Sequence, residues 1–134
     1  MSVKASGRFR VKSWDETPVA QMEGGGKLTR ASIGGAYSGD VEGEATSETV
    51  MCYRADGTAT FVGLERIVGR IGGRSGSFVL RSDGVYDGQE AKAKLSVVAG
   101  SATGELEGLV GEGRFAAPHG PEGTIELDYR FERE

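Results

Sequence analysis

The sequence has 134 residues, among them 23 Gly and only 3 Pro, and its formal net charge is −4. This acidic balance disfavours a nucleic-acid partner, because proteins of that class usually carry a basic surplus that neutralises phosphates. The single Cys and the single His exclude an internal disulfide and a zinc site of the usual Cys/His type within one chain. We also predict that the protein uses no cofactor.

The first predicted strand covers residues 3–12, where the side chains alternate between two classes. One face carries small and apolar residues and the other carries mostly cations. An alternation with period two over ten residues indicates a half-buried strand. Residues 14–18, which include Pro18, are predicted to break it.

Seven further strands are predicted from apolar and β-branched runs that end at glycine-containing turns. Residues 100–111 are predicted to form a loop with one helical turn near Leu106, and His119 is predicted to be a loop residue. Eight antiparallel strands in one domain over residues 1–134 predict an all-β closed barrel, because closure removes exposed strand edges. The seven strands cover residues 28–38, 41–53, 58–71, 75–86, 90–99, 112–117 and 124–133.

Glu65 is the first candidate for chemistry, because it shares one face of the fourth strand with Phe61 and Ile67. If that face lines the lumen, desolvation will raise the pKa of Glu65 and suit it to acid/base work. The alternative is a structural ion pair with Arg66 or Arg30. Both interpretations remain open at this point.

An acidic row on the third strand is the second candidate and consists of Glu42, Glu44 and Glu48. One interpretation is an ordinary solvated strand face. The other is a polar lumen in which these acids meet cations from neighbouring strands, namely Arg10, Lys12 or Arg30.

The sequence shows neither a signal peptide nor a membrane-spanning segment. Its first residues lack the apolar region of a signal peptide, and no apolar run approaches the ~20 residues that a membrane-spanning helix needs. We therefore expect a cytoplasmic protein with no membrane partner.

Several stretches of the chain resemble known barrel proteins. Tyr37-Ser38-Gly39-Asp40-Val41, residues 100–111 (GSATGELEGLVG) and Leu127-Asp128-Tyr129-Arg130-Phe131 look like landmarks of the allene oxide cyclase barrel. Over nearly its full length the chain resembles an uncharacterised bacterial family of small allene oxide cyclase-like barrels more closely. That resemblance implies an eight-stranded calycin-like barrel whose activity is unassigned. It is carried by residues 9–16 (FRVKSWDE), 27–32 (KLTRAS), 57–66 (GTATFVGLER) and 73–80 (GRSGSFVL).

The resemblance to the plant cyclases also bears on the site. Those enzymes use a Glu and an Asn on the first strand, a Pro after it and a Cys on the third strand to steer cyclisation of an epoxide. Here the Cys falls on Cys52 and the Pro near Pro18, but the Glu and Asn fall on Arg10 and Lys12, which disfavours the plant reaction. The alignment would also enclose Arg10 and Lys12, contrary to the alternation of the first strand, and an enclosed pair would need acids such as Glu44. Because the cyclases are trimers, a homo-oligomer is expected.

Two classes of function remain open. The first is a small-molecule-binding barrel, an isomerase or cyclase that acts without a cofactor or metal on a partly apolar, polyfunctional substrate. The second is a non-catalytic ligand-binding or oligomeric assembly module, whose lumen would be filled by Phe61, Phe78, Tyr86 and Phe115. For the first class the expected acid/base is Glu65, Arg10 is the second catalytic candidate, Trp14 stacks at the mouth and Arg30 holds oxygen atoms. The predicted ligand-binding set is Trp14, Arg30, Glu44, Cys52, Tyr53 and Phe78.

Overall fold

The computed structural model describes residues 2–118 and 122–132, and every regular element in these residues is a β-strand. The prediction for His119 lies outside the described residues. Within those two ranges no helix has the length and apolar character needed to cross a membrane. The strands are β1 (Val3–Gln21), β2 (Lys27–Gly39), β3 (Val41–Tyr53), β4 (Ala59–Ile71), β5 (Arg74–Tyr86), β6 (Ala91–Val97), β7 (Thr103–Gly104), β8 (Leu109–Ala117) and β9 (Glu122–Phe131).

Eight of these strands close into an antiparallel barrel in the order β1-β2-β3-β4-β5-β6-β8-β9. Pairing between β9 and β1, from Val3↔Tyr129 to Arg10↔Glu122, completes the ring. The short β7 adds only two pairs to the start of β5. The predicted all-β, eight-stranded antiparallel barrel is therefore confirmed.

Alternation along the strands sends one face of each strand into the lumen. In β1, Ala5 and Phe9 are buried, whereas Arg10 and Lys12 are exposed. The period-two prediction for this strand is confirmed, and the aligned placement of Arg10 and Lys12 inside the barrel is wrong. The physical reason is that their neighbours in the chain supply the apolar face, and enclosing two cations would carry a large desolvation cost.

The first strand is longer than predicted, because residues 14–18 continue β1 instead of breaking it. Beyond Arg10, β1 pairs with β2 but no longer with β9, so its other edge needs no backbone donor and tolerates Pro18. A register shift between Val11 and Ser13 marks a β-bulge. The extra residue changes which side chains point inward, so that both Val11 and Trp14 line the lumen.

One end of the barrel is tightly packed. It lies at the β2–β3 and β4–β5 turns, and it is capped by Leu106, which is 0% exposed. Leu106 belongs to the segment between β7 and β8, where residues 103–109 form overlapping i→i+3 turns that are too short to count as a helix. The largest fully buried side chains of this end are Val41, Ile67, Ile71, Phe78, Leu106 and Leu109.

Candidate functional site

The opposite half of the barrel is open and encloses a cavity of about 400 Å³. This volume falls within the range of small-molecule sites, roughly 300–1,000 Å³. Trp14, Tyr53 and Tyr86 lie at the mouth, and most of the wall is apolar or aromatic. The predicted aromatic plug is not formed, because Phe78 lies in the packed half, apart from the cavity-lining residues. The other three aromatic residues of that prediction form walls of the cavity, namely Phe61, Tyr86 and Phe115.

A hydrogen-bonded pair forms the floor of the cavity. The buried Tyr37 on β2 donates from its hydroxyl to Glu65 Oε1 on β4 over 2.6 Å, and both residues line the cavity. Burial raises the pKa of Glu65, and the hydrogen bond from Tyr37 only partly opposes this shift. Burial and the adjacent carboxylate raise the pKa of Tyr37 well above its ordinary value, which keeps the hydroxyl protonated as a donor.

The environment of Glu65 settles which way its strand faces. Its row points into the lumen, whereas Arg30 and Arg66 are exposed on the outer face. Neither arginine is the hydrogen-bond partner of Glu65, which is Tyr37. Glu65 is therefore an acid in an apolar cavity with a neutral phenol as its partner, a setting in which its protonation state responds to what occupies the cavity.

Two glycines give the aromatic walls their shape. A Cβ atom on Gly35 would collide with the Phe9 ring, and one on Gly84 would lie 2.6 Å from Phe61 Cζ. The Phe9 ring lies 4.8 Å from the Tyr37 ring, centroid to centroid. The absence of a side chain at Gly35 thus lets Phe9 lie against β2 and support the tyrosine that holds Glu65.

A second polar cluster lies at the mouth and is centred on Glu16. Its carboxylate accepts hydrogen bonds from Trp14 Nε1 at 3.0 Å, Thr29 Oγ1 at 2.6 Å and Tyr53 Oη at 2.8 Å. Burial raises the pKa of Glu16, but the three hydrogen bonds outweigh it and lower the pKa overall. Burial raises the pKa of Tyr53, and the hydrogen bond to Glu16 and the charge of Glu16 raise it further, to about 12. Lys27 lies 5.0 Å from the centre of the Tyr53 ring.

Four residues of the predicted site lie on the outside of the barrel. Arg10 and Arg30 are exposed, Glu44 is exposed, and Cys52 is half-buried on the outward side of β3. Their placement in the lumen is wrong, because each alternates with an inward-facing neighbour on its strand.

The acidic row of β3 is a solvated outer face, as the first interpretation proposed. The predicted ion pairs do form, but across neighbouring strands in solvent, with Lys12 Nζ 3.1 Å from Glu44 Oε2 and Arg30 Nε 2.9 Å from Glu48 Oε1. Such exposed pairs contribute little to stability.

The lining carries little charge. Among the described cavity-lining residues, Glu65 at the floor and Glu122 at the mouth carry a carboxyl group, and none is Lys or Arg. Residues 2–118 and 122–132 also contain no group of three or more His, Cys, Asp or Glu that could hold a metal ion. The arrangement offers acid/base chemistry and hydrogen bonding in an apolar enclosure.

Sequence reasoning missed two members of the site, Tyr37 and Glu16. Tyr37 alternates with outward-facing residues on β2, which could have placed it on the lumen, but its contact with Glu65 crosses an intervening strand. Glu16 lies in residues 14–18, which the sequence predicts to break the strand but which continue β1.

Comparison with known proteins places the chain in a family. A family model described as "Protein of unknown function (DUF3224)" matches residues 5–129. The crystal structure of a protein with unknown function from the DUF3224 family of Shewanella oneidensis MR-1 is similar, with a TM-score of 0.82, 32% sequence identity and 100% of both chains covered. No curated protein matches the sequence. Because the family model spans most of the barrel, from β1 to β9, the chain belongs to the DUF3224 family.

Proposed function

We propose that this barrel binds a partly apolar small molecule in its open half and that Glu65 assists an isomerase or cyclase reaction on it. The observation that supports this most strongly is the cavity of about 400 Å³ with the Tyr37–Glu65 pair at its floor. An apolar enclosure with one convergent polar pair is the usual form of a small-molecule site.

The proposed reaction needs only one proton transfer to Glu65 and one proton transfer back to the substrate. Glu65 in its carboxylate form would take a proton from one carbon of the bound molecule and return it to another, so that the carboxylate is regenerated and the substrate is isomerised. Tyr37 would hold the carboxylate in one orientation, since its hydroxyl binds Oε1. The walls would restrict the conformers of the substrate and exclude water. This scheme agrees with the resemblance to allene oxide cyclase-like barrels, where conformer control is the main contribution.

Binding can be tested with the neutral apolar dye N-phenyl-1-naphthylamine, whose fluorescence rises in an apolar site. Ser47 lines the cavity next to Glu65 in the β3–β4 register, so Ser47→Phe is expected to fill the floor and weaken dye binding at least about tenfold. The control is Thr46→Phe at the next residue, which is exposed on the outer face and should bind like the wild type. Equal binding by both variants would place the dye outside the cavity.

Catalysis can be tested with cyclohex-3-en-1-one, whose isomerisation to the conjugated ketone needs one proton removed and one returned. Turnover in the wild type that is lost in Glu65→Gln, with the dye still bound, would support the acid/base role. Dye binding without turnover in the wild type would contradict the isomerase proposal and favour a non-catalytic binding module.

Self-association is a second candidate property, and the outer face of β4 favours it. Val62, Leu64 and Val68 are 47%, 54% and 47% exposed in one stripe, which the exposed Arg66 interrupts between Leu64 and Val68. At Leu64 the stripe is flanked by Glu48 on β3 and Arg81 on β5. A two-fold axis parallel to β4 would set Glu48 of one copy against Arg81 of the other, so the two flanks of the stripe at Leu64 are complementary to each other.

We propose that two copies meet at this stripe. The test is the mass in solution by light scattering, in which the wild type is expected to be a dimer and Leu64→Lys a monomer. A wild type that stays monomeric at high concentration would overturn the proposal.

A further inference from the structure

The charged groups that line the cavity determine which ligand head groups it favours. Glu65 lies at the floor and Glu122 at the mouth, and the described lining offers no Lys or Arg. Neutral hydroxyl groups such as Ser47 supply no positive charge. A ligand that reaches the floor of this half of the barrel therefore meets the carboxyl group of Glu65 and no lining cation, and the nearby cation Lys27 lies at the mouth, over the Tyr53 ring.

The floor offers one free acceptor. Tyr37 donates its hydroxyl hydrogen to Glu65 Oε1, and within residues 2–118 and 122–132 no side chain or backbone group donates to Oε2. Because Glu65 lines the cavity, a donor on the ligand can complete the hydrogen bonding of this carboxylate. A head group that only accepts would leave Oε2 desolvated and unpaired, which is unfavourable.

An anionic head group and a cationic head group are expected to differ sharply in their affinity for such a site. A carboxylate would lie beside the carboxylate of Glu65, and like charges in an apolar enclosure disfavour each other far more than in water. An ammonium group would form a charge-assisted hydrogen bond with Oε2. The mouth favours the same sign, because the aromatic rings of Trp14 and Tyr86 line it and such rings attract cations, as the position of Lys27 over the Tyr53 ring illustrates.

We propose that the cavity selects amphipathic amines, with the ammonium group on Glu65 Oε2 and the apolar body between the aromatic walls, and that it rejects carboxylates of the same length. This inference rests on the binding part of the proposed function, because it specifies the ligand class of the same cavity. An ammonium group on Oε2 occupies the oxygen that proton transfer needs, so these amines are ligands that would compete with a substrate.

The experiment uses three probes of equal length, octylamine, octan-1-ol and octanoate, and measures their affinities by calorimetry near neutral pH. The wild type is expected to bind octylamine at least about tenfold more tightly than octanoate, with octanol between them. Glu65→Gln keeps the acceptor for Tyr37 but loses the charge, so it should lose at least about tenfold in octylamine affinity and change little toward octanol.

The control variant is Glu42→Gln, which removes a carboxylate from the outer face, where Glu42 lies 3.9 Å from Arg70. It should bind all three probes like the wild type. Octanoate binding that equals or exceeds octylamine binding would overturn the inference, and so would an octylamine affinity that Glu65→Gln leaves unchanged. Failure of all three probes and of N-phenyl-1-naphthylamine would instead refute the proposed function itself.

Discussion

The Tyr37 hydroxyl lies 2.6 Å from Glu65 Oε1 and joins β2 to β4 across the width of β3. Backbone pairing connects only neighbouring strands, so this side-chain bond is a separate constraint on the floor of the cavity. It fixes where the acid lies and which of its two oxygens remains available.

Tyr37→Phe is expected to lower the free energy of unfolding by about 1–3 kcal/mol, because a partly buried carboxyl loses its donor. The pKa of Glu65 should rise further, since the bond from Tyr37 lowers it. Chemical denaturation measures the first effect. The control is Tyr86→Phe, whose hydroxyl bonds the exposed Gly88 carbonyl at 3.0 Å and which should change stability by less than about 0.5 kcal/mol. Equal stability of the two variants would show that the Tyr37 bond contributes nothing.

Glu65→Gln is expected to change how stability depends on pH. The folded-state pKa of Glu65 lies above its ordinary value of 4.5, so the folded protein holds this proton more tightly than the unfolded chain. The stabilising contribution is fully present below pH 4.5 and is lost as the pH rises through the raised pKa. The variant should therefore match the wild type in acid and exceed its stability near neutral pH. Thermal unfolding across this range tests the sign, and a difference that does not vary with pH would contradict it.

Glu16→Gln is expected to loosen the mouth of the barrel. The lowered pKa of Glu16 means that its contribution is present above its ordinary pKa and is lost as the pH falls through the lowered one. Because the group is partly solvated, we expect a loss of only about 1 kcal/mol near neutral pH. The pKa of Tyr53 should fall from about 12 towards 10.0, which an ultraviolet titration of the tyrosinates can follow. A variant in which the Tyr53 titration is unchanged would show that Glu16 does not hold this ring.

Leu106→Ala is expected to cost about 2–5 kcal/mol, because it opens a void in the packed end of the barrel. Leu106 is 0% exposed, whereas Val85, the control position, is 49% exposed on the outer face of β5. Val85→Ala should change stability by less than about 0.5 kcal/mol. Urea denaturation compares the two, and a small loss in Leu106→Ala would mean that the turn does not cap the core.

Arg10→Ala is expected to leave both stability and ligand binding almost unchanged, within about 0.5 kcal/mol. The residue is exposed on the outer face of β1 and does not line the cavity. Dye titration and thermal unfolding of the same sample check both points. Loss of dye binding in this variant would show that Arg10 contributes to the ligand site.

The strands could be predicted closely wherever glycine turns bounded them. The predicted range 41–53 coincides with β3, and 58–71 and 75–86 each differ from β4 and β5 by one residue. Residues 14–18 could not be assigned, because whether a proline breaks a strand depends on which edge is paired, and that is a property of the closed barrel. The facing of Glu65 could not be predicted either, because both faces of β4 carry apolar residues, and the structure exposes those of the outer face, such as Leu64. The aligned placement of Arg10 failed for a simpler reason, since the alternation of β1 already opposed it.

The barrel is divided into a packed end and an open end, so core packing and ligand binding fall largely on different residues. Most of the largest fully buried side chains, such as Phe78 and Leu109, do not line the cavity. Residues of the open half, such as Ser47 and Ser82, can then change without removing that packing. The same fold could thus acquire a different ligand through a few substitutions in its lining, which makes the open half a natural starting point for engineering new binding proteins.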